Sequence, residues 1–202
     1  MFGRPTADPY PTPPVHARHL PVEHSVSDRA SFSSPFACLP ADVVLRRSSK
    51  RLLIELSKHL EREALRLGET CVVASAFQHR RHFTADTAAR YARLVERTGF
   101  VCALGEDLPE EPVPGLRGAR LAGDDPVRGE WDIVVLSPHF STALLPRDLG
   151  DDGPDLDRTF EYALTYRRDT VTRAAHELPS RVAPACREPA GRQAGRQPGW
   201  AR

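Results

Sequence analysis

The sequence lacks the long apolar run that a membrane-spanning helix needs. No segment approaches the ~18 consecutive apolar residues of a span, and the first residues, 1–6, are not followed by the apolar stretch of a secretory signal. The four cysteines share no Cys-x-x-Cys spacing, and Cys71 and Cys102 lie in apolar runs where a thiol behaves as a small hydrophobe. We therefore expect a reduced, cytoplasmic protein without a membrane partner.

The sequence also lacks the local signatures of catalysis. Ser75 has no Gly-x-Ser-x-Gly context, and no glycine-rich phosphate loop follows the early apolar runs. His79 and His82 have no further ligands at zinc spacing. The Asp124-Asp125 pair favours a capped turn before Pro126 over a cation site. We expect no enzyme activity and no metal, and the residues do not identify a cofactor.

Both ends of the chain lack a hydrophobic period. Residues 1–41 are rich in proline, and residues 181–202 are basic and rich in glycine, so neither end buries enough apolar surface to offset chain entropy. We expect two disordered tails around one folded unit, residues 42–180. The formal net charge is only +1, and the basic tail is short, so we do not expect a nucleic-acid partner.

The folded part begins with alternating helix and strand patterns. Apolar residues recur at three- and four-residue spacing over 42–67, most clearly over 49–67, which predicts an amphipathic helix ended by Gly68. A strand over 71–77, a helix capped by Thr84 and a strand over 100–104 follow. Strand, helix and strand with short joints predict a parallel crossover pair.

The second half is richer in strand patterns. We expect strands over 116–121, 131–136 and 160–166, and a final helix over 168–178. Residues 141–149 predict a strand at an edge or bulge, because Pro146 has no amide to donate, or alternatively a helical turn. The whole pattern predicts an α/β domain with a mixed, largely antiparallel sheet covered by helices, similar in layout to GAF-like and PAS-like sensor folds.

An ordered set of short motifs carries a family resemblance. These are Phe77-Gln78, Phe83-Thr84, Tyr91, Gly105, Val113-Pro114-Gly115 with Arg117, Asp125-Pro126, Glu130-Trp131-Asp132, Pro138-His139-Phe140, Arg147-Asp148-Leu149, Phe160 and Arg168-Asp169. In this order, over residues 70–178, they resemble the DICT domain, a sensory module associated with diguanylate cyclases and two-component systems. The resemblance implies signal sensing and names no ligand and no catalytic residue.

A sensor of this layout is expected to hold its ligand beside the ends of the parallel strands. Ligand cavities are mostly apolar with a few polar groups, so Trp131 is interpreted either as a core residue or as a pocket wall. Arg117 and Arg147 are candidates for clamping an anion, with a salt bridge to Asp148 or Asp132 as the alternative. The candidate ligand-binding residues are Phe77, Gln78, Arg117, Trp131, His139 and Arg147.

The leading hypothesis is a stand-alone cytosolic sensor with no output domain in its chain. It would bind a small ligand or partner and report by association with a signalling protein or a second copy of itself. The alternative is a protein-interaction or scaffold module without a pocket. The leucine stripe of the first helix either forms a dimer surface or packs on its own domain; its members are Leu52, Leu53, Leu56 and Leu60.

Overall fold

A seven-stranded mixed sheet organises residues 33–182, the part of the chain that the computed structural model describes. The strands are β1 (Arg46–Ser49), β2 (Val72–His79), β3 (Phe100–Glu106), β4 (Arg117–Arg120), β5 (Ile133–Leu136), β6 (Ser141–Asp148) and β7 (Thr159–Thr165). Three α-helices accompany them: α1 (Lys50–Leu67), α2 (Ala85–Arg97) and α3 (Arg168–Glu177). None of the helices in residues 33–182 is long and apolar enough to cross a membrane.

The strands lie in the order β1-β7-β6-β5-β2-β3-β4. β2 pairs parallel with β3, and β3 parallel with β4, as the crossover pattern predicts. The other four pairings are antiparallel. The sheet is therefore mixed and mostly antiparallel, and the expected α/β class is confirmed. β1, β2 and β3 all finish at the same end of the sheet, which we call the upper end.

The two faces of the sheet carry separate cores. On the front face, α1 and α2 cover one cluster, in which Leu53, Leu60 and Leu94 meet strand residues such as Val73 and Leu144. On the back face, α3 and the turn Phe36–Cys38 cover a second cluster that includes Val171, Ala174, Leu104, Val134 and Leu145. Alternation along each strand supplies both clusters, since successive side chains point to opposite faces.

Most predicted elements are confirmed, and the first helix needs a correction. The helical pattern over 49–67 corresponds to α1, and Gly68 caps its carboxyl end with φ at +71°. Extending the helix back to residue 42 was wrong, because residues 46–49 form the edge strand β1 against β7. Leu45, which fitted the helical spacing, is exposed. A short polar segment that completes a sheet edge leaves no periodic signal in the sequence.

The position of Pro146 also differs from its predicted place. Its segment is a strand, but β6 lies inside the sheet between β5 and β7 rather than at an edge. The regular ladder with β5 ends at the Ile133–Leu144 pair, and beyond it the Pro146 carbonyl accepts a hydrogen bond from the Trp131 amide at 3.0 Å. Trp131 therefore precedes β5 rather than beginning it. Residues 131 and 146 keep the register of that ladder, and the reciprocal bond that Pro146 has no amide to donate is missing just before β5 begins.

The predicted limits of the folded unit, residues 42 and 180, stay a prediction. Most of both predicted tails lies outside the described residues. Within residues 33–41, the Phe36 side chain is buried against the back-face cluster. The turn before Pro126 is capped as expected, since the Asp125 carboxylate accepts the Val127 amide at 2.9 Å.

Gly118 is predicted to be intolerant of a side chain. The loop between β3 and β4 folds back over it, and a Cβ at this position would collide with the Pro109 carbonyl oxygen and the Pro112 ring. Gly118→Ala should lower the free energy of unfolding by about 1–3 kcal/mol, the usual cost of overpacking. Gly129→Ala is the matched control because its Cβ would meet no atom within 4 Å. Equal urea midpoints for the two variants would contradict this packing.

Candidate functional site

A cavity of about 300 Å³ opens on the front face at the upper end of the sheet. β1 runs straight into α1 there, and β2 leads through the turn Arg80–His82 into α2. Both helices therefore begin around the end of β2. The Thr84 hydroxyl caps α2 by accepting the Thr87 amide at 3.3 Å, as the sequence predicts. The side chains around the cavity include Lys50, Ile54, Ser57, Glu61, Phe77, Arg81, His82, Thr87, Arg90, Tyr91, Trp131, Asp155 and Leu156.

The inner wall of the cavity is aromatic. The Phe77 ring lies 5.3 Å from Tyr91 and 6.2 Å from Trp131, centroid to centroid, in edge-on or tilted arrangements. Phe83 completes the cluster at 5.3 Å from Phe77. The Tyr91 hydroxyl donates to the Ser75 hydroxyl at 2.6 Å, and burial raises the pKa of Tyr91 well above its usual value. This wall can hold a flat apolar group with little rearrangement.

A buried ammonium group forms the polar side of the cavity. The Lys50 side chain is only 1% exposed, and its Nζ contacts both Asp155 carboxylate oxygens at 2.9 and 2.8 Å. The same Nζ lies 4.7 Å from the centre of the Trp131 ring. Burial lowers the pKa of Lys50, and the Asp155 carboxylate opposes this. Burial pushes the pKa of Asp155 upward, but the Lys50 hydrogen bond and charge outweigh it, so its pKa falls.

His82 is held neutral beside this ammonium. Its ring lies 5.6 Å from that of Trp131, and its Nδ1 is 3.3 Å from Lys50 Nζ. Burial first, and the Lys50 charge second, lower the pKa of His82 to about 4. A neutral imidazole accepts a hydrogen bond from an ammonium. His82 therefore adds a neutral polar group to the lining of the cavity.

A second ion pair borders the cavity between the two helices. Arg90 of α2 donates from Nε to the Glu61 carboxylate of α1 at 2.6 Å, and its Nη2 reaches the Thr87 hydroxyl at 3.3 Å. Burial raises the pKa of Glu61, while Arg90 opposes the rise. Because the Glu61 side chain is only 5% exposed, removing Arg90 would leave a buried carboxylate without its partner.

Two carboxyl groups lie together on the back face below the same end of the sheet. Glu130 accepts the Phe36 amide at 3.1 Å, and Asp132 is fully buried beside it. Burial first, then the neighbouring charge of Glu130, raises the pKa of Asp132 well above its usual value, and burial raises that of Glu130. Two adjacent buried carboxylates disfavour each other's ionisation.

The structure brings two of the six predicted ligand-binding residues to the cavity, Phe77 and Trp131. Gln78 lies at the rim of the sheet, where its amide donates to Asp148 at 3.2 Å. Arg147 points to the back face, stacked 4.4 Å from the Phe36 ring and paired with Glu161.

The remaining two predicted residues lie elsewhere in the fold. Arg117 begins the edge strand β4, and His139 is exposed in the turn between β5 and β6, at the lower end of the sheet. The ligand-binding role of all six residues stays a prediction.

The polar residues of the cavity escaped the sequence reasoning. Lys50 and Asp155 are 105 positions apart, so no local spacing joins them, and both stand in segments that read as solvent-exposed. The available signal was Lys50 itself, one of two lysines in an arginine-rich chain, placed directly at the start of an amphipathic helix. A lysine ammonium is a compact point charge on a flexible stem, unlike the planar guanidinium of the arginines that surround it in the sequence.

His82 should make stability depend on pH. Its folded pKa of about 4 lies below the usual 6.5, so between these values the unfolded chain binds a proton that the folded chain does not. Stability linked to His82 is therefore present above pH 6.5 and lost as pH falls toward 4. Lys50, Arg81, Asp155 and Arg158 are the charged groups that act on this imidazole.

His82→Gln removes this titration, so the stability difference between wild type and variant should shrink as pH falls from 6.5 to 4. His139→Gln makes the same substitution at an exposed histidine in the turn between β5 and β6 and is the matched control. Urea unfolding followed by circular dichroism measures both. A constant difference for His82→Gln would show that this imidazole is not held neutral.

Comparison with known proteins places this fold in a family. The family model for the sensory domain in diguanylate cyclases and two-component systems, DICT, matches residues 39–149. That match covers more than half of the chain and includes α1, β2, α2 and most of the cavity wall. No curated protein and no solved structure matches the chain significantly. The aromatic and charged cavity therefore lies within a chain that belongs to the DICT family of sensory domains.

Proposed function

We propose that this domain senses a small ligand in the front-face cavity and reports by changing its association with a signalling partner or a second copy. Family membership supports a sensory role. The observation that carries the proposal is the cavity itself, where an aromatic wall faces a buried ammonium group at the end of β2. The proposal assigns the chain no catalytic step. The signal passes to the partner or the second copy through a contact surface.

The composition of the cavity fits a binding site better than a packing defect. Small-molecule sites are concave and largely apolar, with a few polar groups that fix orientation. Here Phe77, Tyr91 and Trp131 supply the apolar wall, and Lys50 and Arg90 supply fixed charges held by their own carboxylate partners. A volume of about 300 Å³ stands at the lower end of the range for such sites, so the ligand is small.

The mouth of the cavity lies beside two surface parts of the fold, the segment between β6 and β7 and the start of α1. Asp155 and Leu156 belong to the segment between β6 and β7, and they lie at the mouth. α1 begins at the same mouth and turns its other side outward, where Leu52 is exposed. Switching a reporter from 1:99 to 99:1 needs about 5.5 kcal/mol of differential affinity. Only a ligand that engages both the aromatic wall and the charged groups supplies a difference of that size.

An interaction module without a ligand is the second candidate, supported by the surface around β1. Val44 is 73% exposed and Leu52 48% exposed, and Leu45 beside them is also exposed. The helix stripe itself divides: Leu53 and Leu60 are buried in the front core and Leu56 packs against it, which leaves Leu52 as its outward member. Three of the four leucines of the stripe therefore pack on their own domain, which was one of the two predicted alternatives.

Ligand binding should be visible as thermal stabilisation that depends on Trp131. A ligand confined to the folded state adds about 2.7 kcal/mol at a hundred times its dissociation constant, which raises Tm by roughly 5–10 °C for a domain of this size. A screen of nucleotides, flavins, tetrapyrroles and common metabolites should give such a shift, and Trp131→Ala should remove it.

Tyr166→Ala is the matched control, because it truncates an exposed aromatic residue that follows β7 at the lower end of the sheet, away from the cavity. It should leave the shift unchanged. If no compound in the screen changes the Tm of the wild type, the ligand-sensing proposal is contradicted and the interaction module is favoured.

The second candidate predicts that Leu52→Glu weakens association. A charge placed in a buried apolar contact between copies is desolvated without a partner, so the dimer should dissociate at concentrations where the wild type remains associated. Analytical ultracentrifugation gives the state, and Arg51→Glu beside it tests whether charge alone is responsible. A wild type that sediments as a monomer at every concentration would rule out self-association through this surface.

A further inference from the structure

We propose that the ligand of the cavity is a small carboxylate attached to a compact apolar body, and that its carboxylate displaces Asp155 from Lys50. This inference rests on the proposed function and adds to it the class of ligand and the segment that moves. The cavity already binds one carboxylate, the side chain of Asp155. A ligand of the proposed class takes over that position and fills the space beside the aromatic wall.

The Lys50 ammonium is built to hold a carboxylate. Its Nζ contacts both oxygens of Asp155 within 2.9 Å, and its side chain is almost fully buried. Its other close neighbours are the neutral His82 ring and the face of Trp131. Among the described residues, Asp155 is the acid that forms an ion pair with Lys50. A buried ammonium is strongly destabilising without a counter-ion, so any molecule that removes Asp155 must bring its own negative charge.

Asp155 is the replaceable member of this pair. Its side chain is 49% exposed, whereas that of Lys50 is 1% exposed. It lies in the segment between β6 and β7, whose backbone is tied to the start of α1 by two hydrogen bonds, Lys50 amide to Arg158 carbonyl and Arg51 amide to Leu156 carbonyl, each 2.9 Å. Its release also gives up an ion pair with Arg158 Nη2 at 3.1 Å, but the half-exposed carboxylate is then solvated by water. Displacement therefore exchanges one anion for another on a fixed cation.

The charges around the cavity select a single carboxylate rather than a larger anion. Arg90 is already neutralised by Glu61 at 2.6 Å, and Arg158 binds Asp148. Lys50 is thus the buried cation that displacement of Asp155 leaves without its carboxylate, whereas Arg81, which also lines the cavity, is exposed to water. One positive charge matches one carboxylate, while a nucleotide or other polyphosphate carries more negative charge than this site offsets and exceeds a volume of about 300 Å³.

The rest of the ligand is specified by the wall opposite Lys50. Phe77, Tyr91 and Trp131 present ring edges and faces to the cavity, with Ile54 beside them. A flat ring or short branched chain buries apolar surface there at about 25 cal/mol per Å². An aromatic carboxylate such as benzoate combines the two required groups and serves as the probe.

Displacement also supplies the signal. When Asp155 leaves Lys50, the mouth segment loses its contact with the cavity and carries Leu156 with it, a residue that is already 42% exposed. Displacement also breaks the contact between Asp155 and Arg158 Nη2 at 3.1 Å, while Arg158 keeps its pairing with Asp148 and holds the far end of the segment in place. Ligand binding thus exposes or rearranges an apolar surface next to the start of α1, which a partner can read.

The test compares benzoate with uncharged benzamide on matched variants, using Trp131 fluorescence in a Trp200→Phe background. Asp155→Asn removes the competing carboxylate, and Asp157→Asn is the control because Asp157 is an exposed acid of the same segment that pairs with Arg51. Asp155→Asn should bind benzoate at least ~tenfold more tightly than the wild type, equivalent to about 1.4 kcal/mol. Asp157→Asn should match the wild type, benzamide should not distinguish the variants, and adding Lys50→Met should abolish the gain.

The same samples report the movement of the segment. Saturating benzoate should speed hydrogen exchange of the Arg51 amide in the wild type, because its acceptor on Leu156 is withdrawn. Equal benzoate affinity in the wild type, Asp155→Asn and Asp157→Asn would overturn displacement. Benzamide binding as tightly as benzoate would overturn the carboxylate class while leaving the cavity as a ligand site. Absence of benzoate binding to Asp155→Asn would overturn this inference, whereas the proposed function fails only when the metabolite screen is also flat.

Discussion

Burying an ammonium group costs several kcal/mol unless a carboxylate accompanies it, and Lys50 imposes this constraint on the whole upper end of the fold. To satisfy it, the segment between β6 and β7 must bring Asp155 across to the first turn of α1. The same charge lies over the Trp131 ring and helps to keep His82 neutral. Segments that are far apart in the sequence therefore contact the Lys50 ammonium group, and the cavity lies between them.

The mixed sheet explains why this space lies at the end of β2. β2 has a parallel neighbour on one side and an antiparallel neighbour on the other, so the carboxyl ends of β2 and β3 stand beside the amino end of β5. Trp131 enters just before β5, while α1 and α2 begin at the same level. The back face differs, because below the same end of the sheet it holds the buried Glu130 and Asp132 carboxyls, whose pKa values burial raises. The proposed ligand site accordingly lies on the front face.

The sequence predicts those parts of the fold that have a local period. The spacing of leucines predicts α1 over 49–67, and Thr84 marks the start of the helix between β2 and β3, since caps and periodicity act over a few residues. Phe77 ends one apolar run and Trp131 begins another, and both were predicted to lie beside a pocket at the ends of the parallel strands. β1, the interior place of Pro146 and the pairing of Lys50 with Asp155 depend on contacts between distant segments, and such contacts leave no pattern in a single sequence.

The central claim, that the front-face cavity is the sensing site, is tested most directly by fluorine NMR on protein labelled with 5-fluorotryptophan. The chain has two tryptophans: Trp131 in the cavity wall, and Trp200, outside the described residues, as an internal reference. During titration with a compound that raises Tm, the account predicts that the Trp131 resonance moves saturably while that of Trp200 stays in place. A stabilising compound that saturates the protein and leaves the Trp131 resonance unchanged would contradict it.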